Sequence, residues 1–225
     1  MHIEPGLVDG TKIVLSYATA ATAATVALRA TVTSLGEKGL LSLALRSIIA
    51  TIGVFIFFEV MPHFRVGVSE VHFILGSTLF LLLGAAPSAI GLALGLLVQG
   101  LFFSPTDLPQ YGMNLTTLLV PLFALQALAK RVIAPETAYV DLKYSQVLAL
   151  SATYQGGVVA WVAFWAFYGA GFGAANIAAV ASFGAAYLAV VLIEPLADLG
   201  VLAAAKAGEA GRTSRLVTAR LYNAC

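Results

Sequence analysis

Met1 and His2 bring three nitrogens into one chelate: the Met1 amine, the His2 backbone nitrogen and the His2 imidazole. Initiator methionine is removed only ahead of a small residue, so Met1 is expected to stay and its amine to be free. A divalent ion that accepts a planar nitrogen field displaces the amide proton and sits among them. Tetragonal nitrogen geometry points to Ni(II), Cu(II) or low-spin Co(II). Zn(II) prefers a tetrahedral set. A fourth nitrogen closes the square, and the chain has only three histidines from which to draw it. His72 stands in GVSEVHFILG and His63 in MPHFRVG, both on the side expected for the N-terminus. The bland reading of a lone His is an interfacial side chain bonded to a backbone carbonyl, and it suits His63 better than His72. The sharper reading rests on His being the commonest metal ligand.

These ligands need a scaffold, and the composition indicates its kind. Of the 225 residues, 60% are hydrophobic and 10% are charged, where a soluble domain carries roughly a quarter charged residues. That deficit argues against a soluble enzyme or a disordered chain. The net charge of +1 leaves no basic excess for nucleic acid. Cys225 is the single cysteine, so no internal disulfide and no Cys-rich zinc site can form. With Glu4 and Asp9 and no basic stretch ahead of the first apolar run, no signal peptide is read. No GxxxxGK[ST], HExxH or GxSxG motif occurs, so neither an ATP site nor an enzyme is expected.

A spanning helix takes about 20 apolar residues. Seven candidates follow: about Thr11 to Leu35, Leu40 to Val60, Val71 to Gly84, Ser88 to Phe103, Asn114 to Val132, Ser145 to Tyr168, and Ala174 to Ile193 with a continuation past Pro195 to Ala205. The third and fourth are short, which suggests bilayer thinning or burial inside the bundle. The expectation is an all-α polytopic membrane helix bundle of about seven transmembrane helices. With the N-terminus outside, Lys38, Lys130, Arg131, Lys143, Lys206, Arg212, Arg215 and Arg220 fall inside and only Lys12 and Arg65 outside. The bias predicts N-out and C-in. The division reads as one transmembrane domain over 1–205, its first ten residues the metal-binding segment, and a basic cytoplasmic tail over 206–225, solvated or facing the headgroups.

The remaining polar residues have structural readings beside functional ones. Glu70 either favours a helix start or orients His2 or His72 as an acceptor. Glu59 is expected to pair with Arg65. Asn114 reads as a helix cap or as a bond to the N-terminal segment. Gln99 and Gln126 suit interhelical hydrogen bonds. Glu194 and Asp198, one helical turn apart, call for a partner inside the membrane, with Arg29 or Arg46 near the same side.

The chain resembles the cobalt/nickel substrate-binding M subunit of energy-coupling-factor (ECF) transporters. The resemblance rests on MHIEPGLVDG, on GVSEVHFILGSTLFLLLGAAP, on LLVQGLFF and on Gly112-Met113-Asn114. It covers about residues 1 to 125 and extends to the layout and Glu194 beyond. It implies import of Co(II) or Ni(II), held by the Met1 amine, the His2 backbone and imidazole nitrogens and the His72 imidazole, with no organic cofactor. Ser69, Glu70, Asn114 and His63 would surround the ion. The implied partners are a transmembrane coupling (T) subunit, ATP-binding subunits and a small additional membrane subunit, in the inner (plasma) membrane of a prokaryote. Leu7, Val8 and Glu70 depart from the usual pattern, as does AAYLAVVLIEP near the end. An ECF subunit for an organic vitamin and a structural or assembly membrane protein are the alternatives. A seven-helix photoreceptor fails for want of a lysine within the last two spans.

Overall fold

The computed structural model describes residues 2–208 and 214–223. Met1, Arg212 and Cys225 lie outside the described residues. The described residues include six α-helices and one β-hairpin: α1 (Val14–Phe55), β1 (Phe64–Val66), β2 (Ser69–Val71), α2 (Gly76–Leu83), α3 (Ala85–Phe102), α4 (Tyr111–Val132), α5 (Tyr144–Ala170) and α6 (Ala174–Ala207). Among the described residues, five helical segments are long and apolar enough to cross a membrane: Gly10–Val60, Ala85–Phe102, Pro105–Val132, Tyr144–Ala170 and Ala174–Ala207. The protein is an all-α polytopic bundle.

The 42 residues of α1 do not form one rod. Gly39 sits at φ 75°, ψ 175°, a left-handed conformation that only glycine adopts freely. Arg46 Nη2 donates to Ser34 Oγ at 3.1 Å. Twelve residues of straight helix would separate these two by about 18 Å along the axis. The chain therefore reverses at Gly39, as the expected break between the first two spans requires. Ser16 then packs against Gly112, and Phe58 reaches the ring of His2, at the same end of the bundle.

The third expected span, Val71 to Gly84, is helical only over Gly76–Leu83. Residues 64–71 are not helical; Phe64↔Val71, Arg65↔Glu70 and Val66↔Ser69 pair antiparallel about a turn at Gly67. The helix begins only at Gly76, after Leu75 at φ 52°. Eight residues make only about 12 Å of helix, so the non-helical residues before them complete the passage from His72, beside His2, to Leu83, beside Arg46 at the opposite end. Its residues are buried almost throughout, so α2 is a core element. Gly67 lets the hairpin lie directly on α6: a Cβ there would stand 2.0 Å from the Ala179 carbonyl oxygen.

The expected pairing of Arg29 or Arg46 with the α6 carboxylates is also corrected. Arg46 donates to the carbonyls of Leu83 (2.7 Å) and Ser42 (3.3 Å). Glu194 instead accepts the backbone N–H groups of Ile74 (2.8 Å) and Leu75 (3.0 Å) and the side-chain amide of Gln155, whose carbonyl accepts from the Tyr187 hydroxyl. Asp198 accepts from Thr78. Neutral donors on neighbouring elements do the work that a cation was expected to do.

Cations separate between the two ends. Lys12 donates to the carbonyls of Tyr168 and Gly169 beside the N-terminal segment, and Arg65 lies on the hairpin. At the other end Lys38 binds the carbonyls of Ser214 and Val217, Lys206 pairs with Asp141 and Arg220 donates to Ala134. The tail departs from the solvated setting, one of the two expected. Residues 214–223 fold back on the bundle, with Thr218 donating to Leu82 at 2.7 Å and Leu221 fully buried.

Candidate metal site

The N-terminal segment reaches the bundle as an added strand. Ile3 bridges Ser69 antiparallel. The His2 carbonyl accepts from the Glu70 amide (3.1 Å) and from Ser69 Oγ (2.9 Å), and the Glu4 amide donates to Val68 (3.2 Å). On the other side the Ile3 amide donates to Asn114 Oδ1 at 2.9 Å. Asn114 lies within the first turns of α4 rather than ahead of it, so it holds the segment instead of capping the helix. Ile3 packs with Val8, Met113 and Trp165, which seals the segment against solvent.

This seating turns His2 toward His72. The two rings lie 5.7 Å apart at 65°, with Phe58 against both. His2 is 3% and His72 1% exposed. Nitrogens of both rings and a Glu70 oxygen come within 4.8 Å of one another. Glu70, on β2 and not at a helix start, accepts from His72 Nε2 at 3.1 Å. With that proton facing Glu70, His72 Nδ1 offers a lone pair, the arrangement usual around metal-bound imidazoles. His72 Nδ1 and both ring nitrogens of His2 are buried without a hydrogen bond. Buried polar atoms are rarely left so, and these three lie together with a Glu70 oxygen in a group that could hold a metal ion.

His63 stacks on His72 at 5.0 Å and 15°, but it is exposed and its Nδ1 lies 3.2 Å from the Met61 carbonyl. Its bland reading therefore fits as well. The pairing of Glu59 with Arg65 is corrected: Arg65 binds Glu70 (3.2 Å) and Glu4 (3.6 Å), while Glu59 accepts from Gln99. Asp107 was missed. It comes from the 3-10 turn Pro105–Gln110, and its Oδ2 lies 3.1 Å from His2 Nδ1, though without the alignment of a hydrogen bond. The signal available was an acid in a Pro-flanked loop, SPTDLPQYG, on the same side as all three histidines.

Burial holds the His2 imidazole down to about 2 and that of His72 to about 3, the latter against the pull of Glu70. Burial opposes ionisation of Glu70 as well, but the bond from His72 and the nearness of His2 outweigh it and set the carboxyl at about 2. At neutral pH the imidazoles are therefore neutral, the form that ligates metal. Both histidines bind protons more readily in an open chain, at the ordinary value near 6.5. Stability from their burial is present above about pH 6.5 and drains away as pH falls toward 3. Accordingly, hydrogen exchange at Ile3 and Glu70 in the metal-free protein should speed up from pH 7 to pH 5. Protection that stays constant after correction for intrinsic exchange would contradict this.

The sequence profile of the CbiM family, described as the cobalt uptake substrate-specific transmembrane region, matches residues 2–209. Comparisons with curated proteins and with solved structures give no match. The profile spans nearly the whole chain and includes every residue described around His2 and His72. The protein thus belongs to the cobalt uptake substrate-specific transmembrane family, as a multi-pass membrane component of transport rather than an enzyme.

Proposed function

We propose that the chain captures Co(II) or Ni(II) at the end of the bundle that carries His2, and hands it to an ATP-driven import machinery. The carrying observation is the buried pair His2 and His72, with three ring nitrogens free of hydrogen bonds. In this reading the Met1 amine and the His2 backbone and imidazole nitrogens form the chelate, and His72 Nδ1 completes it. Glu70 orients His72; Ser69 and Asn114 seat the segment. The site faces outward with the C-terminus inside, in the plasma membrane of a prokaryote. A transmembrane coupling subunit, ATP-binding subunits and a small further membrane subunit supply what this chain lacks.

One residue added ahead of Met1 converts the amine to an amide and removes a nitrogen from the square. Co(II) affinity should then fall at least about a hundredfold, since loss of a ligand costs no less than loss of a residue behind it. Isothermal titration of the native and extended proteins measures this. Stoichiometric binding by the extended protein at native affinity would remove the amine from the ligand set. In the native protein affinity should climb from pH 6 to pH 8, because an amine with a pKa of about 8 must lose its proton.

A further inference from the structure

At the end opposite His2 lies a cavity of about 560 Å³ between the first arm of α1, the start of α3, the end of α4 and the returning tail. Four cations line it: Arg29, Arg46, Lys130 and Arg220. Among the described residues a single carboxylate, Glu37, faces them. None of the four forms an ion pair among the described residues. Arg46 is 1% exposed and spends its bonds on two carbonyls and a hydroxyl. Of its five N–H donors, two remain for a ligand. Arg220 Nε is buried with no hydrogen-bond partner.

A guanidinium buried at a membrane protein's helix ends is costly without a counter-charge. The cavity also takes in Ala85, Ala86 and Pro87, the first turn of the 18-residue α3, whose positive dipole end adds to the field. A divalent cation would be repelled here, so this is not a second seat for the transported ion. Planar guanidinium forks beside a helix N-terminus match phosphate oxygens. The depth fits as well, because the cavity lies where helices begin and end and where headgroups reside. Val26, half exposed on the rim, continues into the apolar face of α1.

We infer that this cavity binds a phosphate-bearing anion, with the phosphodiester of an anionic phospholipid as its occupant and the acyl chains running along α1. The anion neutralises Arg46 and Arg220 and ties the Gly39 reversal, α3 and the tail together.

Native mass spectrometry of the full chain, delipidated in mild detergent, tests this with phosphatidylglycerol, phosphatidylcholine and inorganic phosphate. Arg29 and Lys130 are exposed and make no side-chain hydrogen bonds among the described residues, so the double variant Arg29→Gln/Lys130→Gln should fold. Unchanged Co(II) binding serves as the check. Phosphatidylglycerol should bind at least about tenfold more tightly than phosphatidylcholine, and the variant should lose that preference. Competition by millimolar inorganic phosphate would assign the site to free phosphate with the same chemistry. Equal binding of the two lipids without phosphate binding, or a preference unchanged in the variant, overturns the proposal.

Discussion

His72→Ala lowers Co(II) affinity at least about a hundredfold and leaves the far-ultraviolet circular dichroism unchanged. The ring is the only buried imidazole within reach of His2, and its Nδ1 lone pair is set by the bond from Nε2 to Glu70. Changing residues that merely orient a metal-bound imidazole typically costs 10- to 100-fold, so losing the imidazole costs no less. The His72 ring itself sits outside the long helices, just after the hairpin strand Ser69–Val71. Loss of binding with retained helicity is therefore the signature. Glu70→Gln should give a smaller loss, because the amide still accepts from Nε2 but no longer carries charge. His63→Ala should leave affinity close to native, since its ring is exposed and bonded to Met61. Isothermal titration across the three variants gives the order His72, Glu70, His63. A His63 variant as impaired as the His72 variant would require another geometry.

Glu194→Ala has the largest expected effect on the fold. Its Oε1 accepts both Ile74 and Leu75 amides, and its Oε2 accepts from Gln155 in a fully buried network with Tyr187. Truncation leaves three donors, two backbone amides and the Gln155 side-chain amide, without partners at about 1–3 kcal/mol each, so about 3–9 kcal/mol in all. Thermal unfolding in detergent should shift down by many degrees, and amide exchange at Ile74 and Leu75 should accelerate ahead of the rest. Glu194→Gln keeps the acceptor oxygen and should lose much less. The backbone amides freed lie two and three positions after His72, so Co(II) affinity should fall in the alanine variant as well. A melting temperature equal to native would sink this account of α6.

The two imidazoles were legible because the chain offers so few. With three histidines, any nitrogen site must draw on His2, His63 or His72, and the order of spans puts all three at one end. The break at Gly39 was legible as a gap between apolar runs. The hairpin was not, because an apolar run reads the same whether it is a span or the lead-in to a buried helix. The alternation in Phe64–Val71 around Gly67 was the available sign. The partners of Glu194 could not be read either. They are backbone amides of a link bent by Leu75, and main-chain donors leave no trace in residue identity. Asp107 escaped because it enters from a loop some hundred positions along the chain from the residue it faces.

The seat of His2 has a consequence for how such a protein can change over generations. The bonds that fix the segment run from the main chain of His2, Ile3 and Glu4 to Val68, Ser69, Glu70 and Asn114. Strand addition of this kind draws its strength from peptide groups, which every residue supplies. The side chains of Glu4 and Pro5 are therefore open to drift without moving His2 beside them. Heritable constraint falls instead on the receiving surface, far away in sequence, where Ser69, Asn114 and the room left by Gly67 decide whether the first residues of the chain arrive in register.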